Sequence, residues 1–144
     1  MSNKLADAHK LADLTEGMTA SVPFLVRQEE MDRFAELSGD FNPLHVSNEF
    51  ALGKGFKGVV VYGALIIAKV SRLIGMHLPG RDAVWASISL DFVKPLYVDQ
   101  PAQVEGVVTE VWESTGMVKL KLSVRSEDGR LLARGSAEVL LVRL

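Results

Sequence analysis

The 144-residue chain has no cysteine, which removes disulfide, thiolate-metal and thiol-nucleophile chemistry together. Histidine is scarce too: His9, His45 and His77 are too scattered for an evident zinc ligand set. Neither charge sign dominates. Sixteen Lys and Arg face eighteen Asp and Glu, a net charge of −2, and no basic stripe is present, so nucleic acid is not an expected partner. No repeat, low-complexity tract or long Pro/Gly/Ser linker divides the chain. The opening MSNKLADAHK lacks the apolar run of a secretory signal, and the cytoplasm is the expected compartment. What is present is apolar material, 48% of the residues. At this length roughly 70% of the unfolded surface can be buried. The expectation is one domain over residues 1–144, with 1–15 a loosely held lead-in.

Hydrophobic spacing predicts a strand at Thr19–Val26 and a helix at Gln28–Leu37 carrying Met31, Phe34, Ala35 and Leu37. Ser38-Gly39-Asp40 ends that helix, because glycine suits a left-handed cap. Residues 41–58 read as irregular, with a helical turn near Ser47–Leu52. Val61–His77 then reads as a helix about 25 Å long. It is nearly all apolar except for Lys69 and Arg72, so it must be covered on most sides. Charge interrupts it, and it is too short for a membrane span. Ser71 lies about 200° around the helix from Lys69, which directs its hydroxyl toward the buried side. There it needs a partner, since an unpaired buried hydroxyl costs about 1–3 kcal/mol.

The rest reads as strand: Val84–Val93, Ala102–Val111, Met117–Val124 and Leu131–Val142, separated by turn-forming residues. Short connections imply antiparallel neighbours. The fold class is α+β, an antiparallel sheet wrapped around one long helix. Such a sheet has open edges, and pairing with a second copy would cover one, so a homodimer is expected.

Three places could carry chemistry. In Gly39–His45 (GDFNPLH), Pro43 forces Asn42 out of helical geometry. Asp40 and His45 then lie within reach across a tight turn, where a carboxylate and an imidazole could activate one water. Ordinary turn chemistry explains the same residues: Asp40 caps, Asn42 forms an Asx turn, His45 is a loop histidine. Gly53–Gly58 (GKGFKG) matches G-x-G-x-x-G only formally, since no strand precedes it. Lys54 and Lys57 there could meet ligand phosphates or simply be solvated. Tyr62-Gly63 opens the buried helix, whose first amides lack intrahelical partners. Gly63 has no side chain to keep an oxyanion from its N–H, although close packing would also select glycine.

The segments FAELSGDFNPLH (34–45), VYGALI (61–66) and LDFVKPLYV (90–98) together resemble the MaoC-like hot-dog proteins, above all the (R)-specific enoyl-CoA hydratases. The similarity runs from about Glu16 to Leu141, and D-x-N-P-x-H is matched in full by Asp40, Asn42, Pro43 and His45. The resemblance implies a hot-dog dimer that adds water to a trans-2-enoyl thioester, giving the (3R)-hydroxyacyl thioester. By the same resemblance Asp40 and His45 handle the water, the Gly63 amide binds the thioester carbonyl, Asn42 orders the turn and Ser71 supports the site. Leu65, Ile66 and Val70 are the expected acyl walls. Such a reaction calls for no metal or redox cofactor; coenzyme A, or an acyl carrier protein, would belong to the substrate. Tyr62 departs from the family's usual histidine and is expected at the pocket mouth. Lys69 departs from a usual apolar residue. A thioester hydrolase and a non-catalytic acyl-thioester binding module are the competing readings. The helix lacks the acid that hydrolases of this fold typically carry.

Overall fold

The computed structural model describes residues 5–141. In chain order it contains β1 (Thr19–Phe24), α1 (Gln28–Ser38), α2 (Pro43–Val46), α3 (Asn48–Gly53), α4 (Gly63–Met76), β2 (Ala83–Phe92), β3 (Ala102–Trp112), β4 (Met117–Ser126) and β5 (Leu131–Leu141). The expected long helix is thus α4, with Val61 and Tyr62 left outside it. Val142, the expected end of the last strand, lies outside the described residues.

All five strands form one antiparallel sheet in the order β1-β3-β4-β5-β2. One row crosses the whole sheet: Val22, Val104, Val124, Ala133 and Phe92 stand side by side. Alternation in β4 buries Val118, Leu120, Leu122 and Val124, as period-two side-chain placement requires. Against this face lie Ile66, Val70, Leu73 and Ile74 of α4. Each such side chain contributes about 1.5–3 kcal/mol through removal from water. The chain thus closes its sheet around α4.

Coverage of α4 is less complete than its composition implies. Ala64, Ala68, Ser71, Arg72 and Gly75 form an exposed stripe. Ser71 therefore faces solvent in the single chain, contrary to its expected inward orientation. The reason is Lys69: its ammonium pairs with Glu30 of α1 at 2.7 Å and its side chain is only 18% exposed. Lys69 does not mark the solvent side, so counting around the helix from it misplaces Ser71. Strand β2, at one sheet edge, has no fully buried residue despite Val84, Trp85, Ile88, Leu90 and Phe92.

The lead-in is held more firmly than expected. The Asp7 amide donates to the Met76 carbonyl, and the Asp7 carbonyl accepts from the Arg81 amide. Leu11 and Leu14 join the core. Residues 1–4 of that segment lie outside the described residues. Among the described residues no helix is long and apolar enough to cross a membrane.

Candidate active site

The site begins where α1 stops. Gly39 takes φ 75° and its amide closes on the Ala35 carbonyl, the left-handed cap its position demands. The chain then turns sharply. Asp40 Oδ1 accepts from the Asn42 amide at 3.0 Å, and Asn42 Oδ1 accepts from the Leu44 amide at 3.0 Å. Asn42 thereby caps α2, with Pro43 at its first position, where a missing N–H costs nothing. This short helix was not expected from the sequence. It presents His45 from its last turn toward the segment preceding α4.

His45 Nδ1 lies 2.6 Å from the Val60 carbonyl oxygen. A carbonyl only accepts, so Nδ1 carries the proton and Nε2 of the neutral ring holds the lone pair. The imidazole also stacks on Tyr62, with centroids 4.1 Å apart and planes 28° apart. Tyr62 in turn donates its hydroxyl to the Asp40 carbonyl at 2.6 Å. Burial, and then the negative charges of Asp40 and Asp32, hold the Tyr62 phenol above its ordinary pKa. It therefore stays protonated and remains a donor.

A cavity of about 300 Å³ opens beside these groups, lined by His45, Gly63, Ile66, Phe92, Lys94 and Leu96 among others. Gly63 is the first residue of α4, so its amide has no intrahelical acceptor. A Cβ at this position would stand 2.8 Å from Phe92 Cζ. Close packing against the half-exposed Phe92 ring thus favours glycine here.

Of the expected site residues His45, Gly63 and Ile66 line this cavity; Asp40 and Asn42 shape the turn that leads to His45 and stand outside the lining, and the others fall elsewhere. Tyr62 is only 2% exposed and outside the cavity lining, so it lies beneath the turn and not at the pocket mouth; its hydroxyl is held by Asp40 and its ring meets His45 and Phe34. Of the expected acyl walls, Ile66 lines the cavity; Val70 is wholly buried in the core and Leu65 packs against it. Ser71 lies on the exposed stripe, away from the cavity lining. Lys54 sits 5.4 Å from the Phe50 ring centroid, and Lys57 borders a separate cleft of about 520 Å³ with Asn48, Tyr97 and Gln100. A further cleft of about 460 Å³ at the ends of β1, β3 and β4 contains none of the candidate residues. Phe92, Lys94 and Leu96 were not singled out as site residues, although LDFVKPLYV contains all three. Their role depends on the edge strand folding back over α4, which spacing alone does not show. Among the described residues no three His, Asp or Glu side chains gather as a metal site.

An antiparallel sheet wrapped around a helix, with a D-x-N-P-x-H turn at that helix's N-terminus, defines a hot-dog protein of the dehydratase type. Comparison with known proteins agrees. Residues 10–128 match the MaoC-like domain, and the chain belongs to that family. It is 35% identical to the (R)-specific enoyl-CoA hydratase of Aeromonas caviae over 112 residues, covering 78% of this chain and 84% of the relative. It is 30% identical over 138 residues to the (R)-specific enoyl-CoA hydratase of Rhodospirillum rubrum, covering 92% of each. The solved structure of the A. caviae (R)-hydratase superposes with a TM-score of 0.85 at 32% identity, over 90% of this chain and 98% of that one.

Proposed function

We propose that this protein is a lyase catalysing the reversible syn addition of water to trans-2-enoyl-CoA, forming (3R)-hydroxyacyl-CoA. The observation that carries this reading is that His45, held through Nδ1, and Gly63, whose amide opens α4, line one largely apolar cavity. His45 Nε2 takes a proton as the water oxygen bonds to Cβ, and Asp40 holds the water from the other side. Electron density moves onto the thioester oxygen, where the Gly63 amide and the positive end of α4 stabilise it. A proton returned to Cα on the same face completes the addition. Water supplies every atom gained, so the reaction as proposed uses neither metal nor redox cofactor. Kinship with hydratases that act on CoA thioesters favours coenzyme A, while an acyl carrier protein presents the same thioester.

The proposed assembly is a homodimer. β2 is an open edge with half-exposed Val84 and Phe92, and the small residues of the α4 stripe allow close approach of a second copy. The proposed compartment is the cytoplasm.

The test is to mix the protein with crotonyl-CoA and follow loss of the conjugated enoyl-thioester absorbance, then assign product stereochemistry. Asp40→Asn is the informative variant, because its amide oxygen can still accept the Asn42 N–H and keep the turn. Turnover should fall by about 10²–10⁴ with the fold intact. Undiminished turnover in Asp40→Asn would remove Asp40 from the mechanism. Free thiol in place of the hydroxy product would replace hydration by thioester hydrolysis.

A further inference from the structure

Tyr62 is the residue of this site for which the resemblance offers no role, since it replaces a histidine. Its surroundings are unusually complete. The hydroxyl donates to the Asp40 carbonyl at 2.6 Å, the ring stacks on His45 at 4.1 Å, and the Phe34 ring meets it at 4.6 Å and 54°. It immediately precedes Gly63. From this arrangement we propose that Tyr62 is the positioning residue of the site, tying the Asp40–His45 turn to the amide that receives the thioester carbonyl.

The argument rests on where the other bonds of the turn go. Asp40 N to Ser38 Oγ, Asn42 N to Asp40 Oδ1 and Leu44 N to Asn42 Oδ1 are all local. They shape the turn internally; the Val60 amide, donating to the Leu44 carbonyl at 3.1 Å, ties the far end of the turn to the segment before α4 and leaves the Asp40 end to be placed. Asp40 itself is exposed and follows a glycine cap. Val60 anchors His45, through Nδ1, but does not reach Asp40. Asn42 also bonds both members of the pair, but from within the turn; Tyr62 contacts both from outside it and is covalently joined to Gly63. Water and carbonyl must be held in mutual register for the addition, and a misplacement of about 1 Å can cost about a hundredfold in rate. Tyr62 touches neither of them; it acts through Asp40, His45 and the helix start.

The inference rests on the hydratase reading, and the experiment separates the two. Tyr62→Phe keeps the ring and its stacking and removes only the donor. With crotonyl-CoA, kcat is expected to fall about tenfold while KM stays within about twofold, because an interaction felt at the reacting atoms is lost and ground-state binding is not. Tyr62→Leu also removes the stack and should lower kcat further. Unchanged kcat in folded Tyr62→Phe, with only a lower melting temperature, would reduce Tyr62 to a packing residue and overturn the proposal. If the wild-type protein leaves crotonyl-CoA untouched, the hydratase reading fails, and a second measurement then decides about Tyr62. With ¹⁵N-labelled histidine, exchange of the His45 Nδ1 proton with water should be about tenfold faster in Tyr62→Leu, since unstacking frees the ring from the Val60 carbonyl. Equal exchange rates overturn the proposal in that case.

Discussion

The Glu30–Lys69 contact permits a stability prediction that separates two interactions made by one carboxylate. Glu30 Oε1 receives Lys69 Nζ at 2.7 Å, while Oε2 accepts the Arg27 amide at 2.9 Å and closes the N-terminus of α1. Glu30→Gln keeps an oxygen for the Arg27 amide and removes the charge. The Lys69 and Glu30 side chains retain 18% and 33% exposure, so solvent screening limits the pair to about 1 kcal/mol. Glu30→Ala loses the cap as well, which adds about 1 kcal/mol. For a chain of this size the unfolding entropy is roughly 0.3 kcal/mol/K, so the two variants should melt about 3 °C and about 6 °C below wild type. Burial pushes the Glu30 carboxyl upward. The Lys69 hydrogen bond, the Arg27 amide and the charges of both residues outweigh it, holding Glu30 below the ordinary carboxylate value. A folded-state pKa below the unfolded one stabilises above the unfolded value, and that stability disappears as pH falls through the folded pKa. The gap between wild type and Glu30→Gln should therefore be full at neutral pH and narrow in acid. Urea unfolding followed by circular dichroism, at fixed protein concentration, measures it. Equal midpoints for Glu30→Gln and Glu30→Ala, or a gap that widens in acid, would refute the reasoning.

Two further outcomes follow from the site and the exposed helix stripe. Gly63→Ala places a methyl 2.8 Å from Phe92 Cζ; the half-exposed Phe92 ring can swing away, so the fold should persist. Crowding at the amide should nevertheless lower kcat/KM for crotonyl-CoA by about 10², and an unaltered value would remove the Gly63 amide from the reaction. Ala68→Glu puts a charge at the centre of the α4 stripe and should convert the proposed dimer to monomer in sedimentation velocity. A dimer that survives this change must use another surface.

How far the sequence could be read depended on the range of the interactions involved. Helix α1, its Gly39 stop, α4 and all five strands were legible because periodicity and turn chemistry are local. The Asp40–His45 turn was legible because its cap residues and proline lie within six positions. Long-range partners were not. Nothing near Lys69 announces that Glu30, 39 residues earlier, will cover it, and the orientation of Ser71 was misjudged with it. Tyr62 likewise has the composition of a pocket aromatic; only its contacts with Asp40, His45 and Phe34 show that it is enclosed. The firm hold on the lead-in depends on backbone bonds from Asp7 to Met76 and Arg81, which no side-chain pattern encodes.

The groups proposed to handle water and the thioester carbonyl, and the residue proposed to align them, all fall between positions 40 and 63. Phe92, Lys94 and Leu96 on the facing wall of the cavity come from the end of edge strand β2 and the turn after it. Part of the cavity wall is thus written apart from the passage that carries the proposed chemistry, which itself adds Phe56, Val60 and Val61 to the lining, with Ile66 just beyond it. That part can drift while the chemistry is preserved, so altering 92–96 offers a way to change which acyl groups enter without rewriting the reaction that meets them.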